Sequence, residues 1–314
     1  MRRLGKFLAV LGLGRSTHEP FRPPEAEPRS TPPPSAVELP ADPMPQLDAT
    51  PDLPEGFGYK VKWFAVRTPD PAVVLDALGL VPEAAANWST GLAASYRRSA
   101  SDDVAKWVFA SPAIGGWVFL VGTALPYPIN TEDGDHGGIG RAFDKAFERL
   151  KSRFEEVQFF GSYRVVGFVA WARAIRGEPD RVFAFGDGSV YANAGQQAPE
   201  EAALGFPRLD GLSVSDATDR IFALAEEQDA QQAALKASGV PAREAFALVR
   251  QGKAGAIPDE GDVVALAGLW SVNPTQLDDG GQSQEPGTGL VARLPKHMMR
   301  APMDSDDGHI EASA

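Results

Sequence analysis

Apolar and polar positions alternate most clearly between Val157 and Gly195. Val, Phe, Tyr and Trp recur there in short runs, broken by Gly177-Glu178-Pro179-Asp180 and Asp187-Gly188. Such runs with tight breaks predict a β-meander. Within it, Phe168, Ala170, Ala172 and Ala174 fall on one face and Val169, Trp171, Arg173 and Ile175 on the other, because side chains alternate along a strand. Both faces are largely apolar, which predicts a central strand covered on each side.

The flanking segments read as a mixture of strands and helices. Tyr59–Val66 alternates as a strand, and Asp70 with Pro71 forms a helix start that Gly79 can end in the left-handed conformation. Trp88, Leu92 and Tyr96, four residues apart, predict a helix over 82–98. Lys106–Ala110 and Gly116–Gly122 form a hairpin, followed by a long connection, Thr123–Gly138. A helix over 140–154 carries Phe143, Phe147, Leu150 and Phe154 on one stripe. After the meander come a short helix from Pro199 to Leu204, a clearer one over Ser213–Glu227, a continuation broken at Gly239-Val240-Pro241, and a buried helix over Asp259–Trp270. With strands joined by hairpins and no regular βαβ rhythm, the pattern predicts an α+β fold, an antiparallel sheet packed against several helices.

Composition divides the chain into three parts. All six Trp lie between 57 and 273, whereas 12 of the 27 Pro fall in residues 1–56. We therefore expect a Pro-rich disordered arm (1–56), a single globular domain (57–273) and a disordered acidic tail (274–314). The start, MRRLGKFLAVLGLGR, places Arg2, Arg3 and Lys6 before the apolar run Phe7–Leu13, but has no small-x-small cleavage site. It reads as a short amphipathic helix or an unstructured end in a cytoplasmic protein, with export as the alternative. No run approaches the roughly 20 apolar residues of a bilayer-spanning helix, so no stable membrane insertion is expected.

The formal charge of −12 is shared as −2, −6 and −4 among the three parts. Such a balance repels phosphate backbones and anionic headgroups, arguing against nucleic acid. It would attract a basic protein as partner, but it is also the ordinary condition of a soluble cytosolic protein, and that plainer reading is the better supported by charge alone. With no cysteine in the chain, disulfides, thiolate nucleophiles and Cys-based metal sites are excluded.

Candidate chemistry is sparse. The loop Gly134–Gly140 precedes a helix but lacks the Gly-Lys-Ser/Thr ending of a phosphate-binding loop and has acids beside it. Asp133, Asp135 and His136 are weak metal candidates whose order does not match a calcium loop. His136 is the single histidine of the central region, and no Gly-x-Ser-x-Gly elbow accompanies it. The carboxylate pair Glu200-Glu201 suits a helix N-terminus better than acid–base catalysis. Arg164, Arg173 and Arg181 interrupt apolar strands, and with Trp171 they are the candidate binding residues. They either grip a carboxylate on a concave sheet face or lie over aromatic rings beside Glu178 and Asp180. No cofactor is implied.

The runs GWVFLVG, VQFFGSYRVVGFVAW, DRVFAFGDG and DVVALAGLWSVNP resemble uncharacterised bacterial α+β proteins of immunity-protein type, which neutralise polymorphic toxins. The resemblance assigns no functional residue. It implies a non-enzymatic module that binds a protein through a sheet face or the Thr123–Gly138 loop. The alternative is an enzyme or small-anion binder built on the strand arginines.

Overall fold

The computed structural model describes residues 45–97, 106–131, 134–251, 254–279 and 285–300, all within the compact unit Ala41–Ala314. The expectations for residues 1–44, for 301–314 and for Asp133 lie outside the described residues.

In chain order the elements are β1 (Lys62–Arg67), α1 (Pro71–Leu78), β2 (Pro82–Asn87), α2 (Trp88–Tyr96), β3 (Lys106–Ala110), β4 (Trp117–Gly122), α3 (Ile139–Lys151), β5 (Glu156–Tyr163), β6 (Phe168–Ile175), β7 (Glu178–Gly186), β8 (Ser189–Gly195), α4 (Pro199–Leu204), α5 (Val214–Ala237), α6 (Ala242–Arg250), α7 (Glu260–Trp270), β9 (Thr288–Leu294) and α8 (Lys296–Met299). The strands form a nine-stranded sheet in the order β2-β9-β3-β4-β1-β5-β6-β7-β8, with every neighbouring pair antiparallel. The fold is α+β, and β5 to β8 are the expected meander. No helix among the described residues is long and apolar enough to cross a membrane.

Alternation along the strands separates two cores. Phe168, Ala170, Ala172 and Ala174 of β6 join Leu75 and Leu78 of α1 and Phe143, Phe147 and Leu150 of α3. Val169 and Trp171 join Trp88 and Leu92 of α2, Ile221 of α5 and Val263, Leu266 and Trp270 of α7 on the other side. The strand is thus covered on both faces, as its pattern requires. Local chemistry sets the helix ends. Asp70 accepts from the Ala72 N–H ahead of α1, and Gly79 closes that helix at φ 71°. Asp259 accepts from the N–H groups of Gly261 and Asp262 to open α7.

Three expectations need correction. The helix expected over 82–98 begins only at Trp88, because the Asn87 side chain accepts from the Thr90 N–H as its N-cap and the preceding residues pair with β9. The tail expected from 274 is not wholly outside the fold. β9 sits between β2 and β3, with Val291 in one core and Ala292 and Leu294 in the other. Its seven residues were hidden by the polar stretches around them. The packed region also begins before 57: the Asp52 carboxylate accepts from the Trp88 and Ser89 N–H groups at the start of α2 (2.6 and 3.1 Å).

Candidate functional site

Of the four residues singled out in the strands, three come together. Trp171 and Arg173 alternate along β6 on the same face, and Arg173 stands opposite Arg181 of β7. Pro199 starts α4 across this face and brings Glu200 and Glu201 with it. Arg181 and Glu201 are almost completely buried, with side-chain exposures of 3% and 1%, and lie 3.1 Å apart. The Glu201 carboxylate also accepts from Trp171 Nε1 (2.9 Å) and from the Ala198 N–H (2.7 Å). Arg181 Nη1 donates to Asn193 Oδ1 and to the Ala194 carbonyl (2.8 and 3.1 Å). Arg173 pairs with Asp180 at 2.6 Å and reaches Glu200 at 3.7 Å, and its guanidinium lies 4.4 Å from the centre of the Trp270 ring.

Both guanidiniums of this network are neutralised by its own carboxylates, and their donors are spent on the chain's own acceptors. It fastens α4 and α7 to the sheet. Arg164 stands apart from it on a 3₁₀ turn at the far end of β6, with 70% of its side chain exposed and Glu260 3.6 Å away.

The Thr123–Gly138 connection ends in different company. Asp135 pairs with Arg141 at 2.9 Å and accepts from the Gly138 N–H. Burial pushes the Asp135 carboxyl up, but the Gly138 N–H and the Arg141 guanidinium outweigh it and hold it below the usual range. Its charge is committed to starting α3. His136, at φ 50°, turns its ring edge-on to Tyr191, 5.3 Å between centres. No cluster of three or more metal-ligating side chains occurs among the described residues.

His136 and Thr131 instead line one wall of a polar cleft of about 460 Å³, with Asp187 and Tyr191 from the β7–β8 region and Thr218 and Asp219 from α5. The Thr218 hydroxyl accepts from the Val190 N–H (2.9 Å) and donates to the Val214 carbonyl (2.7 Å), tying β8 to α5. Tyr191 donates to Asp187 Oδ2 at 3.0 Å. Burial, then that bond, raises the phenol's pKa well above its ordinary value, so it remains a neutral donor.

Beyond the cleft, α5 turns Ala217 and Ile221 into the core and presents Asp219, Phe222, Glu226 and Asp229 outward. The spacing of i, i+3, i+7 and i+10 places these four along one face of a helix. Phe222 is 40% exposed above the β7–β8 turn, where a Cβ at Gly188 would lie 3.8 Å from its ring. Phe246 and Leu248 of α6 are exposed as well. Among the described residues, Asp219, Glu226 and Asp229 form no ion pair.

The sequence reading pointed to the loop carrying His136 but missed Asp187, Tyr191, Thr218 and Asp219. For α5 a signal was present: the helix expected over Ser213–Glu227 puts Asp219, Phe222 and Glu226 at i, i+3 and i+7 on one face.

Comparison of the chain with protein-family models, curated proteins and solved structures finds no match in any of the three.

Proposed function

We propose that this protein is a non-enzymatic binding module that sequesters a basic protein, in the manner of an immunity-type protein facing a toxin or effector. The contact surface is the outer face of α5 with the adjoining cleft. The observation that carries this reading is the row Asp219, Phe222, Glu226 and Asp229: exposed carboxylates alternate with an exposed aromatic ring on a chain of net charge −12. An apolar anchor flanked by acids that form no ion pair among the described residues suits a basic surface that also offers an apolar side chain. Lys or Arg side chains of the partner fit the cleft, where Asp187 and Asp219 supply charge and the Thr218 and Tyr191 oxygens supply acceptors. The strand arginines do not support the small-anion alternative, because Arg181 and Arg173 already hold Glu201, Asp180 and Glu200.

The test compares the wild-type chain with Asp219→Lys/Glu226→Lys/Asp229→Lys as bait in native lysate, with mass spectrometry as the readout. The wild type is expected to retain a basic protein that the reversed chain loses by at least tenfold at unchanged helix content. Failure to recover a specific partner, or equal recovery by both baits, overturns the proposal.

A further inference from the structure

A second concavity shares no residue with the α5 surface and has the opposite sign of charge. It has a volume of about 560 Å³, and its wall includes Lys60, Lys62, Arg97 and Lys106 together with Thr123, Ser162, Tyr163 and Phe168. Among the described residues, four cations and no carboxylate line this depression, on a chain with 42 acidic and 30 basic residues.

The sheet creates this space by leaving side chains out. Lys62, the first residue of β1, is paired with Gly122 of β4 on one side and Gly161 of β5 on the other. Residues directly opposite in an antiparallel pair project from the same face, so the Lys62 stem runs between two positions with no Cβ. A Cβ at Gly161 would stand 2.8 Å from Lys62 Cγ and 3.2 Å from Phe168 Cε1. One at Gly122 would press on Val108 at 2.8 Å. The ammonium donates to the Thr123 carbonyl at 2.7 Å and lies 5.4 Å from the centre of the Tyr127 ring. An ammonium has three donors, and the Thr123 carbonyl takes one of them.

We infer that this depression is a binding site for a small organic anion, a phosphate or carboxylate carried on an apolar body. Lys62 and Lys60 hold the anionic oxygens, and Phe168 and Tyr163 flank the apolar part. Arg97 and Lys106 have interactions of their own within the chain and add positive charge to the wall without being required as ligands. The volume lies within the roughly 300–1,000 Å³ of small-molecule sites. Burial lowers the pKa of the Lys62 ammonium to about 8, and an anion beside it would offset part of that cost.

Isothermal calorimetry on the full chain at pH 7, with phenyl phosphate, benzoate and benzyl alcohol as probes, tests the assignment. At least one of the two anions is expected to bind at a single site, at least tenfold more tightly than the uncharged alcohol. Phenyl phosphate as the tighter anion makes phosphate the recognised group, and benzoate makes it carboxylate. Lys62→Met, which keeps the apolar stem, is expected to weaken that anion at least tenfold, and raised salt should weaken it in the wild type. Should Lys62→Met fail to fold, Lys60→Glu, on a surface residue outside the strand, is expected to weaken it by the same order. Absence of binding by both anions, equal binding of the alcohol, or affinity unchanged in whichever variant folds overturns the assignment.

Discussion

Arg181 and Glu201 meet where neither reaches water, and that fixes what their loss must do. Removing one member of a buried pair strands the other's charge, at a cost of about 3–5 kcal/mol. Arg181→Met is therefore expected to lower the unfolding free energy measured in urea melts by that amount. Adding Glu201→Gln should recover part of it, because the amide oxygen still accepts from Trp171 Nε1 and no charge remains buried. Lys62 makes a prediction in pH. Its folded pKa is about 8 against 10.5 for an ordinary lysine. Between those values the unfolded chain binds a proton that the folded chain has released, so stability rises with pH across the window and the penalty is fully present below it. Lys62→Met is expected to flatten that rise and to stabilise the protein at pH 7 by up to about 3 kcal/mol. Loss of the bond to Thr123 subtracts about 1 kcal/mol from this gain. Urea melts of both chains at pH 7 and pH 10 would read the difference. At this scale the sequence disclosed near neighbours only. Asp180 lies seven residues from Arg173 and could be named as a partner, whereas Glu201 lies twenty from Arg181 and was chosen by where α4 docks.

Among elements, α2 shows one rule overriding another. Gly91 sits inside a helix, where alanine is better by about 1 kcal/mol. Yet a Cβ there would stand 2.3 Å from the Phe109 ring, and the same ring fills the space over Gly289 of β9. Overpacking of a tight core costs about 1–3 kcal/mol, so Gly91→Ala is expected to lower the melting temperature despite its helix propensity. The same contest explains the misreading of residues 82–87. Their alanines suit a helix locally, but Asn87 starts a new helix and β9 supplies a ladder that no local pattern announces. The capped helices α1 and α7, the hairpin and the meander were legible because their signals lie within a few residues of one another. β2 and β9 were not, since each is a strand chiefly by virtue of the other and of β3.

For the whole molecule, the insertion of β9 between β2 and β3 means that the sheet spans nearly all of the described chain. A version ending at Gly287 is expected to lose cooperative unfolding, because, among the described residues, β2 loses its one sheet neighbour and β3 one of two. A version ending at Arg300 should retain it, and calorimetry on the two distinguishes the outcomes. Charge is also partitioned at this scale. Carboxylates crown α5 while cations gather around Lys62, so the two proposed sites attract opposite ligands and respond to different substitutions.

The slot that β9 fills has a consequence for how the protein is made. On the ribosome, β2 and β3 emerge early, but the strand that joins them follows about 180 residues after β3. At roughly 5–20 residues per second, this is a wait on the order of ten to forty seconds. During that interval the nascent polypeptide carries two unsatisfied strand edges, open to any passing extended segment, so newly synthesised copies should depend on chaperone cover far more than the finished protein does.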